Sequence, residues 1–145
     1  MCTSFKGELL TGTHNFGTGV VRASTAADTF KAALYLASAT IDASTTAYTA
    51  TGEVSGTNYS AGGVTVTFGT APSTSGTTAF VTPSASITYS AVTLSTAFDC
   101  VLIYNSSQSN KAVSVHTFGS QTVTAGTFTL TMPVNDASTG LIRLA

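Results

Sequence analysis

A chain of 145 residues, 43% of them hydrophobic, is long enough to bury one core without a disulfide or a metal, so a single domain is expected. Only 8% of its residues are charged and the net charge is −1, against about 25% charged residues in an ordinary soluble domain. The hydrophobic content argues against intrinsic disorder, and five cations placed singly (Lys6, Arg22, Lys31, Lys111 and Arg143) argue against direct binding of nucleic acid.

Thr, Ser, Ala and Gly stand where Lys and Glu would normally sit. Neutral outer faces of this kind pack against other proteins without desolvating ions, and interface cores are depleted in charge for that reason. No run approaches the roughly 20 apolar residues of a membrane helix, so no membrane association is expected. No signal peptide is expected either, because residues 1–12 lack a long apolar core.

Residues 1–27 read as an irregular N-terminal arm. Residues 5–10 suit either one helical turn or a short strand, and Gly7, Gly12, Gly17 and Gly19 oppose a long regular element. From Asp28 onward a β pattern begins. Phe30, Ala32, Leu34 and Leu36 share one parity and Lys31, Ala33 and Tyr35 the other, which predicts a strand half embedded in the core. Residues 42–46 read as a turn. Residues 48–63, rich in Gly and Ser, are too long for a hairpin turn, and Tyr48 and Tyr59 can pin this loop to the body of the domain.

Val64, Val66 and Phe68 alternate with Thr65 and Thr67, giving a strand with one apolar and one threonine face. Residues 71–76 read as a turn around Pro72, and residues 77–82 as a short strand closed by Pro83. Ile87 and Tyr89 change parity with Val92 and Leu94, which predicts a bulge near Ser90 or Ala91.

The densest apolar run is Cys100-Val101-Leu102-Ile103-Tyr104, short and β-branched, as expected of a strand covered on both faces. Asn105-Ser106-Ser107-Gln108-Ser109-Asn110 then has the composition of a turn. With a strand over residues 111–118 it predicts a central hairpin. Phe128, Leu130 and Met132 alternate with Thr127, Thr129 and Thr131, and the ending Leu141-Ile142-Arg143-Leu144-Ala145 is expected to pair with a sheet. The pattern predicts an all-β fold: a single-domain β-sandwich over residues 28–145, jelly-roll-like or Ig-like, with about eight short strands.

Chemistry-bearing residues are few. His14, His116, Glu53, Asp99 and Asp136 are far apart, no Gly-x-Ser-x-Gly elbow precedes a helix, and residues 52–63 lack the lysine and following helix of a phosphate loop. Metal binding by His14, His116 and a carboxylate would require the fold to gather them. No enzyme activity, cofactor or metal is expected. Cys2 and Cys100 fit no metal spacing, and free thiols are the expectation. The sequons at Asn58 and Asn105 are read as chance.

Several stretches resemble small virion structural proteins of tailed bacteriophages. They are Asp28-Thr29-Phe30-Lys31-Ala32-Ala33-Leu34-Tyr35, Gly52-Glu53-Val54-Ser55-Gly56, Tyr59-Ser60-Ala61-Gly62-Gly63, Leu102-Ile103-Tyr104-Asn105 with Asn110-Lys111-Ala112, and the ending from Gly126-Thr127-Phe128 through Ile142-Arg143-Leu144-Ala145. The resemblance implies a particle component located in the virion and assembled in the bacterial cytoplasm, with a capsid decoration or cement role favoured. The implied partners are the major capsid protein or other virion proteins, and further copies of the chain in a closed homo-oligomer such as a trimer. The alternatives are a head–tail connector, collar or tail component, or a receptor- or carbohydrate-binding module. The candidate interface residues are Tyr48, Glu53, Tyr59, Lys111, His116 and Arg143.

Overall fold

The computed structural model describes residues 1–10, 13, 14, 16 and 27–145. Gly12, Gly17, Gly19 and Arg22 lie outside the described residues. Among the described residues the chain forms one helix, α1 (Thr3–Leu10), and seven strands. The strands are β1 (Phe30–Leu36), β2 (Val64–Val66), β3 (Ser73–Ser75), β4 (Thr78–Val81), β5 (Ile87–Asn105), β6 (Lys111–Leu130) and β7 (Ile142–Leu144). They build two antiparallel sheets, ordered β2-β1-β5-β6 and β3-β4-β7. The expected all-β sandwich is what forms.

The strand count falls because separate short strands fuse. The stretch around residues 87–94 and the apolar run 100–104 are one strand of 19 residues, and residues 111–118 and 127–130 belong to one strand of 20. The ladder between them is interrupted rather than ended. Tyr89 faces Phe128 and Cys100 faces Thr117, but the pairing shifts at four places in between. One shift lies between Tyr89 and Val92, where Ala91 has φ of 53°, so the change of parity is a bulge.

Those bulges let the ribbon fold over itself. Ten residues of straight strand would separate Phe118 from Phe128 by about 34 Å, yet their ring centroids are 5.4 Å apart. Phe98 lies against both, at 6.0 and 5.0 Å. The two halves of one hairpin therefore supply two facing layers, with phenylalanines closing the bend. The far half also crosses β1, where the Tyr89 hydroxyl donates to the Ala32 carbonyl at 2.8 Å.

The run Cys100 to Tyr104 is buried throughout, as its lack of polar gaps requires. β1 is more deeply set than its parity predicts: Ala32, Ala33, Leu34 and Tyr35 are all buried. Phe30 faces an aromatic cluster with Phe16 and Phe68, while Tyr35 turns the other way to the loop at Thr49. The hairpin turn ends with Ser109 and Asn110 both at positive φ, and Lys111 N donates to Gln108 O at 3.1 Å. This is the geometry that suits strand twist.

One local expectation changes. Residues 73–75 form a strand rather than a turn, and the reversal lies at Gly76 (φ 58°). All three residues of that strand are exposed, so no alternation marked it. Residues 5–10 take the helical option within α1. Cys2, Phe5, His14 and Phe16 are buried in the chain's own core, so these portions of the expected arm lie on the domain.

Candidate functional site

All five tyrosines of the chain gather around Glu53 and the loop of residues 48–63. Where β2 ends, the loop takes over as the neighbour of β1. Leu36 N donates to Gly52 O and Val54 N donates to Leu34 O, at 2.9 and 3.0 Å. Glu53 then points its carboxylate inside the loop. Oε2 accepts from the Tyr48 hydroxyl at 2.7 Å; Oε1 accepts from the Tyr59 hydroxyl and from Gly62 N, each at 2.8 Å.

A second ring of bonds ties this knot to the sheet. The Tyr59 oxygen accepts from Leu34 N at 3.0 Å, Tyr104 donates to Gly62 O at 2.8 Å, and Tyr35 donates to Thr49 O at 2.6 Å. Tyr48 stacks on Tyr104 and Tyr59 on Tyr89. The loop approaches β1 so closely at Gly63 (φ +72°) that a Cβ there would lie 1.7 Å from Ala32 O. Only glycine meets both demands.

Burial raises every one of these phenols, with the Glu53 carboxylate adding to the effect; Tyr48 is pushed up to about 12. The phenols stay protonated as donors, and both carboxylate oxygens are occupied. The cluster is built to hold a loop, and it presents neither a free base nor an activated nucleophile.

The six candidate interface residues fall into two groups. Tyr48, Glu53 and Tyr59 form the knot just described. Lys111 sits beside it at the start of β6, bridged to Ala47, while Tyr48 N donates to Asn110 O at 2.9 Å. His116 and Arg143 meet elsewhere, lining a pocket of about 180 Å³ with Met1, Ser114, Leu141 and Ile142. His116 Nε2 is 3.0 Å from Ser114 Oγ. Burial, and then the Met1 amino group, holds the imidazole below its ordinary value. Arg143 donates to the carbonyls of Ala137 and Ser138, which fastens the loop before β7.

That loop is organised by Asp136. Its Oδ1 accepts from Thr139 N, Thr139 Oγ1 and Ser138 N at 2.7–2.9 Å, and these bonds, Thr139 first, hold the carboxyl below the usual range. Among the described residues, no three His, Cys, Asp or Glu side chains group as a metal site. Cys2 and Cys100 are both buried and are not joined in a disulfide, and burial followed by the Asp99 charge pushes the Cys100 thiol up to about 11.

One buried polar centre has no sequence signature. Asn105 is fully buried. Its Nδ2 donates to Asp28 Oδ2 at 2.8 Å and lies 3.1 Å from His14 Nδ1; its Oδ1 accepts from Ser107 N at 3.1 Å. It joins the N-terminal segment to the hairpin turn. The only hint was an amide ending an apolar run.

The surface of β6 is the remaining feature. From residue 112 to residue 135 there is no Asp, Glu, Lys or Arg. Thr117, Gly119, Ser120, Gln121, Thr122 and Thr124 are exposed, as are Thr127 and Thr129. β6 ends its sheet, with β5 as its neighbour on the other side. A groove of about 230 Å³ opens between the two layers, lined by Ile103, Phe118, Leu130 and Met132 among others. Comparison of the chain with protein-family models, with curated proteins and with solved structures found no match in any of the three.

Proposed function

We propose that this chain is a structural component of a tailed-bacteriophage particle, a decoration or cement protein that ties neighbouring capsid subunits together. One observation carries the reading: a 20-residue strand at the end of its sheet lies, after its first residue Lys111, within a stretch, residues 112–135, that has no Asp, Glu, Lys or Arg. Natural edge strands are usually guarded by charge, proline or a cover, because an unguarded edge pairs with other chains. A neutral threonine surface can be covered by a neighbour without desolvating ions. Repetition of modest contacts over a symmetric shell then holds the lattice firmly.

The reading places the working surface on strands rather than in a pocket, and assigns no catalytic step. The major capsid protein is the partner, and the virion the location. Capsids assembled without this chain should lose resistance to heat or pressure and regain it when purified protein is added back. Unchanged resistance would sink the cement role. Copy number separates it from a connector or tail role: on the order of hundreds of copies per particle for decoration, and about six to twelve for a ring.

A further inference from the structure

We infer that the outer edge of β6 pairs with the same edge of a second copy of this chain, antiparallel across a two-fold axis. The start of the edge is already used. Ala112 N donates to Thr46 O at 2.9 Å, and Val113 O accepts from Cys2 N at 3.1 Å. Beyond these, residues 114–130 carry no further strand among the described residues.

Closure selects the occupant. β2, β3 and β7, the other strands that end a sheet, have three residues each, and pairing any of them with β6 of another copy would join unlike edges, a contact that does not close on itself. An antiparallel match of the β6 edge with itself is self-complementary by symmetry.

Regularity selects the segment. From Tyr89 to Cys100 the β5–β6 ladder shifts at four places, leaving an unbroken stretch on either side. The one over Ser114 to Thr117 adjoins the positions already used by Thr46 and Cys2, whereas Phe128, Thr129 and Leu130 face Tyr89, Thr88 and Ile87 in unbroken register. That end of β6 is the regular template that strand addition needs. An axis at Phe128 sets Thr127 of one copy opposite Thr129 of the other, and threonines so placed favour cross-strand pairing. No charge meets its own kind across the axis, since residues 112–135 have none. The inference does not rest on the particle reading, because it concerns the isolated chain.

The test uses purified full-length protein and sedimentation velocity over a range of concentrations. The wild type should be dimeric, or a multiple of two, at about 100 μM. The double variants T127K/T129K and T127E/T129E change exposed positions, so each should keep the wild-type circular dichroism and melting temperature. Each should weaken the dimer at least about tenfold by placing like charges opposite one another, and mixing the two should restore a mixed dimer. A monomeric wild type at that concentration would overturn the inference. So would folded variants as dimeric as the wild type, or a mixture that stays dissociated.

Discussion

Phe118 and Phe128 stand ten positions apart on a single strand and have ring centroids 5.4 Å apart. The contact exists because β6 turns back with its partner β5, so most of the sandwich is a single hairpin folded in two. Phe98, fully buried, lies between the halves and touches both rings.

Phe98→Ala should therefore lower stability by about 3–5 kcal/mol, the range for removing a buried phenylalanine. Urea or guanidinium melts measure it. A loss under about 1 kcal/mol would mean that the two halves do not depend on this contact.

Glu53 is the shared acceptor of the loop. Glu53→Gln keeps the volume but presents an amide N–H to groups that are themselves donors, and should cost about 1.5–3 kcal/mol, as for bonds to a charged acceptor. Tyr48→Phe removes one bond and should cost about 0.5–1.5 kcal/mol. In the double variant the two losses should not add, since the groups are in direct contact. Additive losses in the melts would deny the shared centre. The inward engagement of Tyr59 also means that Tyr59→Asp sets a carboxylate beside Glu53, so its first effect should be on folding.

The tyrosines should be silent to base while the protein stays folded. All five are raised, burial first, so absorbance at alkaline pH should show no ionisation near pH 10, the ordinary value. An acid raised on folding contributes stability that is present below its unfolded value and lost as pH climbs above it. Ionisation should thus coincide with unfolding above pH 10. A tyrosine titrating near its ordinary value in folded protein would contradict the packing.

His116 gives the opposite limit. Its folded value lies below the ordinary 6.5, mainly through burial. The unfolded chain then binds the proton first, so stability is complete above pH 6.5 and falls as the solution is acidified below it. His116→Gln should flatten that section of the stability-against-pH curve. An identical slope in the variant would place the acid sensitivity elsewhere.

How much of this was legible in the sequence depended on whether a residue's environment is local. The run Cys100 to Tyr104 announced its burial because no polar residue interrupts it, and the bulge at Ala91 showed as a change of parity. The continuity of β6 was hidden. Gly119-Ser120-Gln121-Thr122 has loop composition, and only pairing with β5 makes it strand. The Ser73–Ser75 strand was hidden for a related reason, having no buried face to imprint a period. The knot at Glu53 draws together residues up to 69 positions apart, Tyr35 and Tyr104, and such convergence leaves no local pattern. The pinning role of Tyr48 and Tyr59 was visible, but their shared acceptor was not.

The turn at Ser109 and Asn110 carries a burden out of proportion to its size. Because the ribbon it starts becomes both layers, a slip of one residue there would turn inward side chains outward in each layer at once. Errors of register should therefore trace to substitutions at these two positions before any in the periphery.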